Sequence, residues 1–126
     1  MLRCVLLFTA LAALSLPSAA QLQRNFPATA LRGELQLTQP PEALLNGRAA
    51  RLAPGARIRS ADNMLLTSGA AVGTKLLVHY TLDSYGLLHD VWVLTAPEAA
   101  RKPWPMTLGQ AQSWRFNADA QTWSRP

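Results

Sequence analysis

The sequence is poor in the side chains that bind metals or form cross-links. Its 126 residues include one cysteine, Cys4, and two histidines, His79 and His89. One thiol cannot form an intramolecular disulfide, and a structural zinc site normally needs four cysteine or histidine ligands. The composition therefore excludes a disulfide scaffold and a thiolate metal centre, and we expect neither a metal nor another cofactor.

The sequence also lacks an apolar run long enough to remain in a membrane. Residues 4–16 are mostly apolar, but this run is shorter than the roughly 20 residues that a transmembrane helix needs. Arg3 precedes the run, and Pro17 followed by small residues up to Ala20 comes after it, as in a secretory signal peptide. We predict a signal peptide over 1–20, cleavage after Ala20, and a periplasmic or secreted protein with no transmembrane segment after cleavage.

The remaining residues are enough for one domain. Residues 21–30 contain Pro27 and show no periodicity, so we interpret them as a flexible lead-in. Residues 31–126 form a single β-rich domain, whose last part, from about 96 to 126, is rich in tryptophan. A chain of about 100 residues buries roughly two-thirds of its unfolded surface, and it needs no metal or disulfide to fold.

Closely spaced turn signals indicate a β-rich fold. Asn46-Gly47, the preferred pair for a type I′ turn, predicts a tight hairpin, and Pro54-Gly55 predicts a further turn. The segments 76–82 and 87–94 are rich in β-branched and aromatic residues and predict a longer hairpin around the loop 83–86. We expect a mainly β domain, a small antiparallel open barrel or sandwich of five to seven short strands.

Two capping patterns near the end of the sequence predict short helices. Thr95 and Glu98 match a capping box that opens a helix over 96–101. Thr107 and Gln110 match a second box, with a helix to about residue 114. We expect one or two short C-terminal helices, packed over an edge or an open end of the strands.

His79 and Asp90 are the only candidates for acid–base chemistry. With a loop at 83–86, the hairpin register places His79 opposite Asp90 and Tyr80 opposite His89. A His–Asp pair resembles the base and orienting group of a catalytic triad, but no nucleophile elbow accompanies it, and a simple cross-strand charge pair is the alternative. Strand alternation sends His89 to the other face, which leaves too few ligands for a metal site.

Tryptophan and arginine recur through the last quarter of the chain. Aromatic faces beside guanidinium groups can stack on sugars or bases, or anchor a protein partner. Tryptophans in a segment that wraps a small sheet can instead be packing anchors, and both interpretations stay open here. The candidate binding residues are Trp104, Trp114, Trp123, Arg101 and Arg115.

Basic residues outnumber acidic residues. The 12 Lys and Arg against 7 Asp and Glu give a formal net charge of +5, and the cations are spread along the chain instead of forming one run. Scattered cations are typical of a solvated surface, and a second interpretation is attraction to anionic partners. Because the chain carries an export signal, we expect no nucleic-acid partner and favour anions of the cell envelope.

Short motifs along most of the mature chain form a recognisable pattern. They are Arg57-Ile58-Arg59, Gly73, Val78-His79-Tyr80-Thr81, Asp83, Gly86, Val91-Trp92-Val93-Leu94-Thr95 and Glu98-Ala99-Ala100. Together they resemble a group of short, uncharacterised exported proteins of the Gram-negative, proteobacterial type. The resemblance implies an exported one-domain protein and carries no active site with it.

The sequence thus favours a non-catalytic binding module of the cell envelope. Its partner would be an envelope protein or a cell-wall component, and the oligomeric state stays open. One alternative is a small hydrolase-like or ligand-modifying enzyme that uses His79 and Asp90. A second alternative is electrostatic binding to an anionic lipid or polymer.

Expression of the full chain in a Gram-negative host tests the predicted signal peptide. We expect the periplasmic fraction to contain a chain that begins at Gln21, because signal peptidase cuts after small residues. Intact-mass measurement and N-terminal sequencing read this out. Replacement of Leu6 and Leu11 by arginine should leave the chain in the cytoplasm at full length. A wild-type chain that is cytoplasmic and still begins at Met1 would contradict the prediction.

Overall fold

The computed structural model describes residues 23–126, so the predicted signal peptide and its cleavage site after Ala20 lie outside the described residues. This part of the chain is mainly β, as predicted. Its strands are β1 (Leu31–Leu37), β2 (Glu42–Leu45), β3 (Arg48–Arg59), β4 (Leu65–Leu66), β5 (Lys75–Leu82), β6 (Leu88–Val93), β7 (Arg115–Asn117) and β8 (Thr122–Ser124). The helices are α1 (Ala96–Ala99) and α2 (Leu108–Ser113), and a 3₁₀ turn spans Ser68–Ala71.

Five of the strands close into a small barrel. β1 pairs with β2 and β5, β5 pairs with β6, β6 pairs with β3, and β3 returns to β2. These pairings are antiparallel, except that β3 and β6 run parallel. The connectivity is that of the five-stranded Greek-key barrel known as the OB-fold. β4 adds an edge strand to β3, and the predicted class of a small barrel with short C-terminal helices is confirmed.

Aliphatic side chains fill the interior of the barrel. Strand alternation points one face of each strand inward, and Leu35, Leu37, Val78, Leu88 and Val91 are each at most 1% exposed. The 3₁₀ turn contributes Ala71 to this core beside the end of β1, and α2 adds a partly buried alanine. Residues outside the barrel strands thus also pack against its interior.

The β2–β3 hairpin is confirmed, whereas the further turn predicted at Pro54-Gly55 is wrong. Asn46 and Gly47 have φ angles of 53° and 80°, the positive values that a type I′ turn requires. Pro54-Gly55 instead lies inside β3, whose register against β6 shifts between Leu52 and Arg57. Because glycine tolerates positive φ, the strand bends there without ending.

The β5–β6 hairpin forms as predicted, but its predicted register is wrong. His79 lies opposite Trp92, not opposite Asp90, and the predicted pair between Tyr80 and His89 is also absent. Two offsets cause the shift. Leu87 belongs to the loop, so Leu82 lies opposite Leu88, and a β-bulge just after Tyr80 adds a further residue on β6, where the Asp90 N–H donates to Thr81 Oγ1 at 3.2 Å. Alternation alone could not reveal this extra residue.

The helices begin where the capping patterns predicted. Thr95 Oγ1 accepts a hydrogen bond from the Glu98 N–H, and the Glu98 carboxylate accepts one from the Thr95 N–H, which completes the box. Thr107 accepts from the Gln110 N–H, but Gln110 Oε1 accepts from Met106 in place of Thr107. No helix in residues 23–126 is long and apolar enough to cross a membrane.

Both ends of the described chain pack against the outside of the barrel. Phe26 and Ala30 from the N-terminal side and Trp104 and Trp123 from the C-terminal side form a second buried cluster, the outer core. The segment that we expected to be a flexible lead-in thus has buried side chains. Partly buried residues complete this layer: Trp92, Leu94, Ala111, Trp114 and Phe116.

Candidate functional site

A row of outward-facing side chains crosses four strands beneath the outer core. Cross-strand pairing places Arg59 of β3 beside Trp92 of β6, Trp92 beside His79 of β5, and His79 beside Arg32 of β1. The outer face of a small barrel is normally solvated, yet His79 and Arg32 are buried. The polar groups in this row must therefore find partners within the protein.

Arg24 and Glu98 form a buried ion pair above this row. Arg24 Nε donates to Glu98 Oε2 at 2.9 Å, and Nη2 donates to Glu98 Oε1 and to the Val93 carbonyl. Nη1 donates to the Ser60 carbonyl at 2.9 Å. Burial alone would raise the pKa of Glu98, but the hydrogen bonds from Arg24 and Thr95 outweigh it and lower that pKa. The pair stays ionised because its hydrogen-bonding groups are satisfied.

Arg32 connects the row to α1. Its Nη1 donates to the carbonyls of Ala99 and Arg101, and its Nη2 donates to the Glu98 carbonyl at 2.9 Å. Its Nε donates to His79 Nε2 at 3.2 Å, so that nitrogen is the acceptor and the proton resides on Nδ1. The guanidinium of one buried arginine thereby holds the end of α1 against β1 and β5.

His79 is enclosed by aromatic rings. It stacks on Trp104 with ring centroids 4.1 Å apart, and it meets Phe26 edge to face at 4.5 Å. Burial is the largest cause that lowers the pKa of His79, to about 2, and the charges of Arg32 and Arg24 lower it further. The imidazole is therefore neutral at physiological pH. Its Nδ1 is buried without a hydrogen-bond partner among the described residues.

The structure does not bring His79 and Asp90 together as a pair. His79 lies under the outer core and is 1% exposed, whereas Asp90 lies at the bulge of β6 with its side chain 32% exposed. The histidine beside Asp90 is the exposed His89, whose Nε2 lies 4.0 Å from Asp90 Oδ2. No three His, Cys, Asp or Glu side chains cluster as metal ligands within residues 23–126.

The tryptophans predicted as binding residues lie in the outer core. Trp104 and Trp123 are 4% and 5% exposed, and Trp104 Nε1 donates to the Ala30 carbonyl at 3.0 Å. Trp114 is half-buried, with the guanidinium of Arg125 5.3 Å above its ring. A partner cannot reach Trp104 or Trp123 without displacing this layer. The outer core uses both tryptophans for packing.

The two arginines predicted as binding residues differ in exposure. Arg115 on β7 is exposed, whereas Arg101 is half-buried and its carbonyl accepts from Arg32. Of the five candidate residues, Arg115 and the exposed part of Trp114 are the groups most open to a partner. They lie on the β7 side of the molecule and are not part of the mouth groove described below.

An open groove lies at the mouth of the barrel between the β2–β3 hairpin and the β5–β6 loop, and we call it the mouth groove. Its volume is about 690 Å³, and the segment 106–110 completes it. Its apolar lining includes Leu45, Leu82, Leu88 and Met106, and its polar lining comprises Asn46, Arg48, Thr107 and Gln110. A second groove of about 500 Å³ shares Asn46 and Met106 with it and also contacts Glu34 and Lys102.

Sequence reasoning missed the mouth groove. The Asn46-Gly47 turn was predicted, but nothing in the local pattern places it beside residues 106–110. That proximity depends on closure of the barrel through the parallel β3–β6 pair and on the path of the chain after Trp104. Both are tertiary features with no local signature.

The buried His79 makes stability depend on pH below neutrality. An unfolded chain carries this histidine with a pKa near 6.5, against about 2 in the folded protein, so acid protonates the unfolded state preferentially. We expect the free energy of unfolding, measured in urea, to fall by about 2 kcal/mol between pH 7 and pH 5. His79→Gln, which keeps an acceptor for Arg32, should remove this loss, whereas His89→Gln should retain it. The same loss in His79→Gln would contradict the assignment.

No family model, no curated protein and no solved structure matches this sequence. The resemblance to short exported proteins consequently stays a prediction. The buried row of side chains and the mouth groove are the basis for proposing a function.

Proposed function

We propose that the chain is a non-catalytic binding module of the cell envelope and that the mouth groove is its binding site. The observation that carries the proposal is the groove itself, which two hairpin loops and the segment 106–110 frame at an otherwise closed barrel. Its volume of about 690 Å³ lies within the range of roughly 300–1,000 Å³ that is usual for ligand sites. Envelope placement rests on the predicted signal peptide over 1–20.

The position of the groove on the barrel supports the same proposal. OB-type barrels bind oligonucleotides and oligosaccharides with the face of their second and third strands and with the loops that join their first to their second and their fourth to their fifth strands. Here the mouth groove is lined by residues of β2 and β3 and by the β5–β6 loop, which joins the fourth and fifth barrel strands. This support is an analogy of fold, so ligand chemistry must come from the lining residues.

The alternatives have less support in the geometry. The enzyme hypothesis relies on His79 and Asp90, which are separated, and a histidine with a pKa of about 2 is a weak base. Purely electrostatic binding would need exposed cations that have no acidic partner within the protein. Arg51 lies 3.3 Å from the carboxylate of Glu42, and Arg24 is buried, so part of the positive charge is neutralised internally.

Site-specific photo-crosslinking in intact cells tests the proposal. A benzophenone amino acid at Ala49, an exposed residue of the mouth groove, should yield an adduct in the periplasmic fraction. The same probe at Asp119, exposed in the β7–β8 turn, should yield none. Gel shift and mass spectrometry measure the adducts. Equal adducts at both positions, or none at Ala49, would refute the mouth groove, and a cytoplasmic chain would refute envelope placement.

A further inference from the structure

Three polar side chains of the mouth groove each accept one hydrogen bond from a backbone N–H of the protein. Asn46 Oδ1 accepts from the Glu34 N–H at 2.9 Å, and Gln110 Oε1 accepts from the Met106 N–H at 2.8 Å. Thr107 Oγ1 accepts from the Gln110 N–H at 3.1 Å. Because each oxygen is bonded to a backbone N–H, the amide orientations are fixed. Within residues 23–126, no acceptor is bonded to either NH₂ group or to the hydroxyl proton.

Arg48 adds the strongest donors to the groove. Its guanidinium has five N–H groups and no acceptor, and it is exposed without an ion-pair partner among the described residues. None of the described residues that line the groove is acidic. The side chains of the mouth groove therefore offer hydrogen-bond donors and one positive charge beside an aliphatic surface.

Two features narrow the class of ligand. None of the described lining residues is aromatic, whereas sugars and nucleic-acid bases are commonly bound by stacking on aromatic rings. A single cation, Arg48, suits one anionic group and not the repeated charges of a nucleic acid or a lipid surface. The partly exposed Leu45 and Leu82 suit an aliphatic side chain.

We propose that the mouth groove binds the C-terminal end of a peptide whose last residue is apolar. A terminal carboxylate is a pure acceptor that can take two parallel hydrogen bonds from Arg48. The amide groups of Asn46 and Gln110 and the hydroxyl of Thr107 then donate to the carboxylate and to the preceding carbonyl. The last side chain packs on the leucines. This inference rests on the proposed function and specifies its ligand class.

Peptide binding to the exported chain tests the inference. The probes are fluorescein-labelled hexapeptides ending in leucine, valine or alanine, each made as a free acid and as a C-terminal amide, and the readout is fluorescence anisotropy. We expect at least one free acid to bind about tenfold or more tightly than its amide, because a hydrogen-bonded charge is lost in the amide. An amide peptide with an internal glutamate distinguishes a terminal carboxylate from a side-chain carboxylate.

Matched arginine variants localise the interaction. Arg48→Gln should weaken binding of the free acid about tenfold or more, whereas Arg57→Gln, an exposed arginine of the same strand outside the groove, should leave it unchanged. Both positions are exposed, and circular dichroism checks that the variants fold. Equal binding of acid and amide, equal effects of the two variants, or no peptide binding would overturn the inference.

The outcome separates this inference from the proposed function. If no peptide binds while the Ala49 cross-link still forms, the binding module stands and its peptide ligand is refuted. If oligogalacturonate, a carboxylated glycan, binds in place of the peptides, the ligand class is likewise refuted. Loss of both peptide binding and the cross-link would refute the proposed function as well.

Discussion

The buried ion pair between Arg24 and Glu98 is the interaction on which the arrangement of both chain ends depends. Removing two charges from water costs several kcal/mol for each ion, so such a pair persists only when its remaining hydrogen-bonding groups also find partners. The carbonyls of Ser60 and Val93 supply those partners for Arg24, and the Thr95 N–H supplies one for Glu98. One contact thus joins the N-terminal segment to α1, to the end of β6 and to the turn after β3.

This ion pair, by fixing the chain ends, changes which surfaces of the barrel are exposed to solvent. Arg32 and His79 would face solvent on a bare barrel, but the two chain ends cover them and turn the outer face of β1, β5 and β6 into a second core. Trp104 and Trp123 are buried in that core and pack against its other side chains. The mouth groove is one accessible concave surface that remains, and its polar side chains retain donors beside an aliphatic lining. Packing at one side of the barrel and the proposed binding at its mouth therefore use separate surfaces.

Local sequence signals predicted much of the fold, but they could not predict the features that depend on contacts between distant residues. Asn46-Gly47 and the Thr95–Glu98 capping box act through neighbouring residues, and both form as predicted. The position of Asp90 depends on the length of the β5–β6 loop and on a bulge, and the parallel β3–β6 pair joins distant segments, so alternation could indicate neither. The burial of Arg24 could not be predicted from the local sequence either, because its partner Glu98 lies 74 residues away. The mouth groove follows from these long-range contacts.

A double-mutant cycle on Arg24 and Glu98 tests most directly whether the buried pair holds the chain ends in place. We expect Arg24→Met and Glu98→Gln each to lower the free energy of unfolding in urea by about 3–5 kcal/mol, and the double variant to lower it by much less than their sum. The exposed pair of Arg51 and Glu42 is the matched control, with a coupling of about 0.2–1 kcal/mol. Additive losses below about 1 kcal/mol at Arg24 and Glu98 would contradict the account.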